Sequence, residues 1–488
     1  MSRQLDYDCL DKIFEYLEED KTTLHSCLLV NRLWREVSVG ILWRNIWSFK
    51  YSNRVDVISQ ILSTLIACLP NGSKDLLFKN GIFIETPTYK PPLFNYASYC
   101  KVLSVHKIDQ MIEYVLENHH IANSSKYLLL QEILKMFMMN QIKSLKSLDY
   151  YYSGGNPKRD YYIHFTGFPG AKEYLRNLSE LYCSSNIYFK FFHEISQICC
   201  NIRTLTIRFK DIISNGLENL IFSQKKLKHL KLIQDPDGMC WSEIIPSLTN
   251  HSIKLTKLYL CSYSVNVPLS FIGKYFKTLQ ELVLSFKSEE AFLDNFDQLQ
   301  YVTFPRLKVL KFLDECPRFE VLTNFLETNG KNLEELYVAN NDNSLNLDIA
   351  KFCLNLKSLY TIFKEDEVET LRAILSNCQY LESIGVWCDG EYLNEKEFLE
   401  NLAKYSSKYF NELRICYVYD GPSEIFPEEL EEFFINWKNR IPRKPLSFII
   451  KGCCVKSFEN KKENLDVIEK YKRLGIIKKF EIEKFSEE

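Results

Sequence analysis

One apolar spacing, L-x-x-L-x-L, recurs through most of this chain and limits what it can fold into. It stands at Leu178-x-x-Leu181-x-Cys183, Ile202-x-x-Leu205-x-Ile207, Leu227-x-x-Leu230-x-Leu232, Leu255-x-x-Leu258-x-Leu260 and Leu279-x-x-Leu282-x-Leu284. It continues at Leu307-x-x-Leu310-x-Phe312, Leu333-x-x-Leu336-x-Val338, Leu356-x-x-Leu359-x-Thr361, Leu381-x-x-Ile384-x-Val386 and Phe410-x-x-Leu413-x-Ile415. Successive starts lie 23 to 29 residues apart. In each copy the last two apolar positions alternate as a short strand requires, turning inward while the intervening residues face out. Between copies lie amphipathic pieces such as Val321-Leu322-x-x-Phe325-Leu326 and Leu371-x-x-Ile374-Leu375, long enough for two or three helical turns. One strand and one helix cannot cover their own apolar face. A stack of them buries a continuous core between parallel strands inside and helices outside.

Weaker copies at Cys100-x-x-Leu103-x-Val105 and Leu145-x-x-Leu148-x-Tyr150 extend the array toward the N-terminus. Leu446 to Ile450, and the helix-like Leu465 to Ile468 leading to Ile476-Ile477, read as terminal units. The repeat domain therefore spans 96–485, and 49–95 forms a helical connector containing Pro87, Pro91 and Pro92. Ser153 to Asp160 reads by its turn chemistry as a loop, either a surface insertion or a protruding binding loop.

Residues 1–48 have a different texture. Leu10, Ile13, Phe14 and Leu17 share one helical stripe, and Val30, Leu33, Trp34 and Val37 repeat that spacing after the polar break Glu18 to Lys21. Two or three short helices follow, with Cys27 to Val37 expected on one of them. So small a helical unit buries little surface alone, so its apolar stripe should meet either the rest of the chain or another protein.

Composition excludes several functions. The 61 basic and 63 acidic side chains nearly cancel, which leaves no electrostatic footprint for nucleic acid. Ile58 to Leu69 and Tyr127 to Met139 are too short and interrupted to span a bilayer and read as buried helices. Sixteen dispersed cysteines, with no secretory leader at Met1-Ser2-Arg3-Gln4, suit a reducing compartment. No P-loop, dinucleotide glycine fingerprint, H-E-x-x-H or G-x-S-x-G stands anywhere, so the expectation is a protein that is not an enzyme and carries no cofactor. Cys199-Cys200 and Cys453-Cys454 lack zinc spacing, and Glu117 with His119-His120 reads as a polar helix end, so no metal is expected.

The outward strand positions are the expected binding surface for a protein target: Arg208, Lys231, Tyr259, Lys311, Tyr337, Tyr360, Trp387 and Arg414. Aromatic and arginine side chains there are the types that interface hot spots favour.

Leu5 to Trp47 resembles an F-box domain. Leu10, Ile13, Phe14 and Leu17 match the family's first helix, Leu29-Val30-Asn31-Arg32-Leu33-Trp34 its Val-x-[Arg/Lys]-x-Trp core, and Leu42-Trp43 its common Leu-Trp. Asp6 departs from the usual Leu-Pro start, although Asp can cap a helix where Pro would pre-set it. The array resembles leucine-rich repeats of the cysteine-containing kind, with Cys199, Cys353 and Cys378 three residues before a repeat start where Ser252, Gly330 and Ser407 stand elsewhere.

The fold expected is thus α/β: a short all-α F-box followed by a leucine-rich-repeat solenoid. The resemblance implies a substrate-recognition subunit of a Skp–cullin–F-box ubiquitin ligase, in cytoplasm or nucleus. Leu5, Leu10, Ile13, Phe14, Leu17, Leu29, Val30 and Trp34 would face a Skp-type adaptor and, through it, a cullin-RING scaffold. Trp34 would either enter that interface or close the domain's own core. The alternative is a repeat scaffold without a role in ubiquitination.

Overall fold

The computed structural model describes residues 5–48, 55–83, 92–116, 122–139, 144–151, 163–251, 254–264, 267–287, 296–338, 343–388, 392–417, 425–441, 444–452 and 462–484. The Ser153–Asp160 loop, Glu117 with His119-His120, Cys453-Cys454, Ser252, Pro87 and Pro91 lie outside them. The chain divides into two units, Met1–Leu248 and Thr249–Glu488.

The first unit opens with three short helices, α1 (Tyr7–Glu15), α2 (Lys21–Cys27) and α3 (Arg32–Leu42), each started by a side-chain cap. The Asp6 carboxylate accepts from the Cys9 amide at 2.8 Å, Asp20 from Thr23 at 3.0 Å, and Asn31 from Trp34 at 2.9 Å. Asp6 thus does the work of starting the helix that proline does in the resembled family, by satisfying a free amide of the first turn. Asn31 corrects one expectation. Cys27 to Val37 is not one helix, because Asn31 takes an extended backbone and caps α3, leaving Leu28 to Val30 as a turn.

Behind these stand α4 (Val55–Ala67) and α5 (Asn71–Lys79). The first repeats follow: β1 (Val102–Ser104), α6 (Val105–Leu116), α7 (Asn123–Met139), β2 (Ser147–Tyr150), β3 (Glu180–Ser184), β4 (Thr204–Phe209) and β5 (His229–Gln234). Strands β1 to β4 each pair in parallel with the next, so Leu103, Leu148, Leu181, Leu205 and Leu230 stand side by side, all buried.

The second unit repeats the scheme with β6 (Lys257–Ser262), β7 (Glu281–Phe286), β8 (Val309–Phe312), β9 (Glu335–Val338), β10 (Ser358–Ile362), β11 (Ser383–Trp387), β12 (Glu412–Tyr417), β13 (Leu446–Gly452) and β14 (Ile477–Lys484). All neighbours are parallel and follow chain order. The helices Phe319–Asn329 and Val368–Asn377 bury the apolar pairs whose spacing announced them: Val321, Leu322, Phe325 and Leu326 in one, Leu371, Ile374 and Leu375 in the other. Every repeat start named from the sequence leads into a strand, and the fold is a leucine-rich-repeat solenoid of parallel strands inside and helices outside.

The corner between helix and next strand is where the cysteines sit. Cys199 Sγ donates to the Leu175 carbonyl at 3.1 Å, Cys378 Sγ to the Cys353 carbonyl at 3.5 Å, and Ser407 Oγ to the Leu381 carbonyl at 2.6 Å. At Gly330 the backbone of Phe352 approaches so closely that a Cβ would meet its carbonyl at 2.9 Å. Gln224 holds the same position in its own repeat and spans the corner completely: Nε2 donates to the Cys199 carbonyl at 2.8 Å and Oε1 accepts from the Ile202 amide at 3.0 Å. Asn329 does the equivalent next to Gly330, accepting from the Phe304 amide at 2.7 Å and donating to the Val302 carbonyl at 2.9 Å. These buried amides keep backbone groups paired where no ladder reaches them.

Candidate functional site: an N-terminal apolar face and the exposed sheet surface

The helical segment has a closed core of its own. Leu10, Phe14, Leu24, Cys27, Val37 and Ile41 are buried together, with Leu17, Leu33 and Trp34 packed against them and the Trp34 ring edge-on to Phe14 at 5.0 Å. Leu10 and Phe14 are 1% and 2% exposed, so neither is available to a partner, contrary to the expectation that both face an adaptor. Helix α1 turns them inward against Val37 and Ile41 of α3. Leu17 and Trp34 are partly buried in the same cluster, and of the two roles open to Trp34 the structure gives it the core.

The other four expected residues are at the surface. Leu29 is 79% exposed, Val30 56%, Leu5 50% and Ile13 47%. Leu29 and Val30 owe their exposure to the Asn31 cap, which breaks the chain direction and pushes both out in a turn. Arg32 and Leu33, with Asn31 and Glu36, line an open pocket of about 380 Å³ on α3.

This segment is also built into the first repeat. The Arg44 carbonyl accepts from the Lys101 and Val102 amides at 2.9 and 3.1 Å, the same double acceptance that the Lys101 carbonyl gives to Lys146 and Ser147 one repeat later. Trp47 Nε1 donates to the Val102 carbonyl at 2.6 Å, and Trp43 packs on Tyr96 at 4.6 Å. The Arg44 guanidinium is buried and bonds Asp11 at 3.0 Å and Glu15 at 3.1 Å, tying α1 to the same corner. A buried cation held by two carboxylates is costly to break by removing either partner.

On the sheet, the eight expected target-facing residues are all half-buried at outward strand positions, in two groups. In the first unit, Lys231 stands beside Thr206, and Arg208 lies two residues further along its strand. Arg208 is engaged: its Nε donates to the Tyr182 hydroxyl at 3.1 Å, Nη1 bonds Asp235 at 3.0 Å, and the guanidinium lies over the Tyr151 ring at 5.0 Å. Lys210 pairs with the same Asp235 and lies over the same ring. Burial, then Lys107 and Arg208, push His106 beside Tyr151 down to about 4. Burial raises the Asp149 carboxyl although Ser104 donates to it at 2.6 Å.

In the second unit one register row runs Tyr259, Val283, Lys311, Tyr337, Tyr360, Gly385 and Arg414. Lys311 pairs with Glu335 at 2.6 Å, and Arg414 with Glu412 at 2.9 Å. Tyr337 and Tyr360 stack at 4.1 Å with their planes 13° apart, and Trp387 meets Tyr360 edge-on at 5.8 Å. Sequence reasoning placed these rings and missed Gly385, where an added Cβ would fall 2.2 Å from Tyr360 Cδ2. The signal was present, since Gly385 occupies the row position that is tyrosine in the two preceding repeats.

Among the described residues no group of three His, Cys, Asp or Glu side chains is placed to hold a metal ion, and no helix is long and apolar enough to cross a membrane. Against known proteins, no family model matches this chain, and no curated protein does. Among solved structures it is similar to the complex of Rad7 and Elc1 in yeast, with 12% identity, 72% of this chain and 83% of that chain covered, and a TM-score of 0.38. It is also similar to the leucine-rich repeat-containing protein LegL7 from Legionella pneumophila, with 13% identity, 62% and 93% coverage and a TM-score of 0.33.

Proposed function

We propose that this chain is the substrate-recognition subunit of a Skp–cullin–F-box ubiquitin ligase of the cytoplasm or nucleus. Its helices α1 to α3 dock a Skp-type adaptor, and the exposed sheet face holds the target protein. The observation that carries the reading is the division of labour in the helical segment. Leu10, Phe14 and Trp34 complete its core, yet Leu29, Val30, Ile13 and Leu5 stay in water on a segment already tied to the repeats. Apolar side chains that neither the segment's core nor the first repeat absorbs are available to a partner. Ubiquitin transfer belongs to the recruited partners, and this chain performs no chemistry of its own.

The test is co-purification of the full chain with a Skp-type adaptor and a cullin, beside the double variant Leu29→Asp/Val30→Asp. The intact chain captures both partners. The variant loses capture by tenfold or more, as expected when about 2 kcal/mol of interface contact is removed, while its unfolding midpoint is unchanged. A folded intact chain that captures no adaptor overturns the reading, and adaptor capture without cullin or a ubiquitinated client leaves a repeat scaffold in its place.

A further inference from the structure

The aromatic group on the second unit is more than exposed rings on an open face. Tyr337 and Tyr360 lie in register on adjacent strands, and Tyr360 leans across the bare backbone of Gly385. The Tyr337 and Tyr360 rings lie face to face, 4.1 Å apart with their planes 13° apart. With Trp387 edge-on beyond, the three rings form a platform whose orientation is fixed before any partner arrives, the condition under which aromatic contacts give most affinity.

The charge around the platform is one-sided. Residues 333–338, 356–367 and 381–388, which carry the three rings, hold six carboxylates and two lysines. Glu334 is held between Lys308 and Lys357, and Glu335 by Lys311. The two cations in the row, Lys311 and Arg414, each have a carboxylate partner, Glu335 and Glu412. Exposed Glu365, Asp366 and Glu382 remain against Lys364.

We infer that Tyr337, Tyr360 and Trp387 seat a lysine- or arginine-bearing segment of the partner protein, its cation over the ring faces that the Tyr337–Tyr360 stack leaves open and its remaining charge against Glu365 and Asp366. This deepens the function proposed above, since it rests on the sheet face being the target surface, and names the chemistry of the target. A ring face attracts a cation through its quadrupole, and a neighbouring carboxylate adds to the same field.

The experiment measures fluorescence anisotropy of short Arg-Gly, Glu-Gly and Pro-Gly repeat peptides of equal length against the full chain. The Arg-Gly peptide binds, more weakly as salt rises, and the other two do not. Trp387→Ala and Tyr360→Ala each weaken it about tenfold. Gly385→Ala, which removes no ring atom but displaces Tyr360, weakens it as well, and Glu365→Gln/Asp366→Asn flattens its salt dependence. Circular dichroism confirms that each variant is folded, and a variant that is not is set aside in favour of Trp387→Ala. Preferred binding of the Glu-Gly or Pro-Gly peptide, no binding at all, or Arg-Gly binding indifferent to Trp387 and Tyr360 overturns the inference. Adaptor capture by the same proteins is scored separately. Peptide binding without capture sinks the ligase reading alone, and capture without peptide binding sinks this one alone.

Discussion

Replacing Gln224 by leucine tests whether the buried amide at a repeat corner is structural. The side chain is 3% exposed, and its removal leaves two backbone groups without their partner, the Cys199 carbonyl and the Ile202 amide. A third acceptor, the Leu220 carbonyl, keeps the Ser223 hydroxyl at 2.8 Å and loses little. Each buried group left unpaired costs about 1–3 kcal/mol, and leucine restores part of the lost apolar contact, so the net loss is about 2–4 kcal/mol. Urea unfolding of the full chain, followed by circular dichroism, reads that as a lowered midpoint. Hydrogen exchange reads it locally, as faster exchange at Ile202. The variant Gln224→Glu adds a sign. A carboxylate buried against the Cys199 carbonyl is disfavoured when charged, so its folded pKa lies above the unfolded value near 4.3. The variant is therefore least destabilised at acid pH and loses stability as pH rises through the folded value. A Gln224→Leu midpoint within about 0.5 kcal/mol of the parent, with Ile202 still protected, refutes the reasoning.

Phe14→Ala costs about 3–4 kcal/mol in the stability of the N-terminal helices, whereas Leu29→Ala leaves unfolding unchanged; equal effects on unfolding would mean that Phe14 is not the core residue described. His106 is held neutral in the fold down to about 4 while the unfolded chain protonates near 6.5. Between those values the unfolded state binds the extra proton, so stability falls as pH drops through the window, and His106→Asn has a shallower decline in unfolding midpoint. Trp47→Phe keeps an aromatic ring, though a smaller one, deletes the indole N–H bond to the Val102 carbonyl and lowers the stability by about 1 kcal/mol or more, seen first as faster exchange at Lys101 and Val102.

Much of the repeat fold was legible because its signal is redundant. Leu181, Leu205 and Leu230 share a spacing, a burial and a register, so any one copy corrects the others. The N-terminal segment has no second copy. The stripe Leu10, Ile13, Phe14 and Leu17 satisfies helical periodicity as a whole, yet α1 ends at Glu15 and only Leu10 and Phe14 are fully buried. Periodicity defines a stripe but not which half of it is already covered. Asn31 carried its own signal, a capping residue before an apolar run, and the regular spacing of Val30 with Leu33 and Trp34 masked it. Gln224 was missed because its position had been read as one for small residues, where Cys199, Cys353 and Cys378 stand. On the sheet, the side chains themselves were legible, since outward positions follow from alternation. Their pairings were not, because Arg208 with Asp235 and Tyr337 on Tyr360 are contacts between residues some 23 to 27 apart.

The Arg44 carbonyl makes the helical segment the end plate of the array. An open parallel strand offers a row of unsatisfied amides to any extended chain that passes, the usual route to edge-to-edge association. Here the first strand's leading amides, Lys101 and Val102, are already occupied by Arg44. A proteolytic fragment or engineered truncation beginning after residue 48 would lose that acceptor, and Trp47 with it. Its loss of adaptor binding would then come together with a newly sticky edge. The cut that looks like a clean domain boundary in the sequence is, in the fold, the removal of a lid from an open stack. Point changes at Leu29 and Val30 alter the outer surface of that lid and leave it closed.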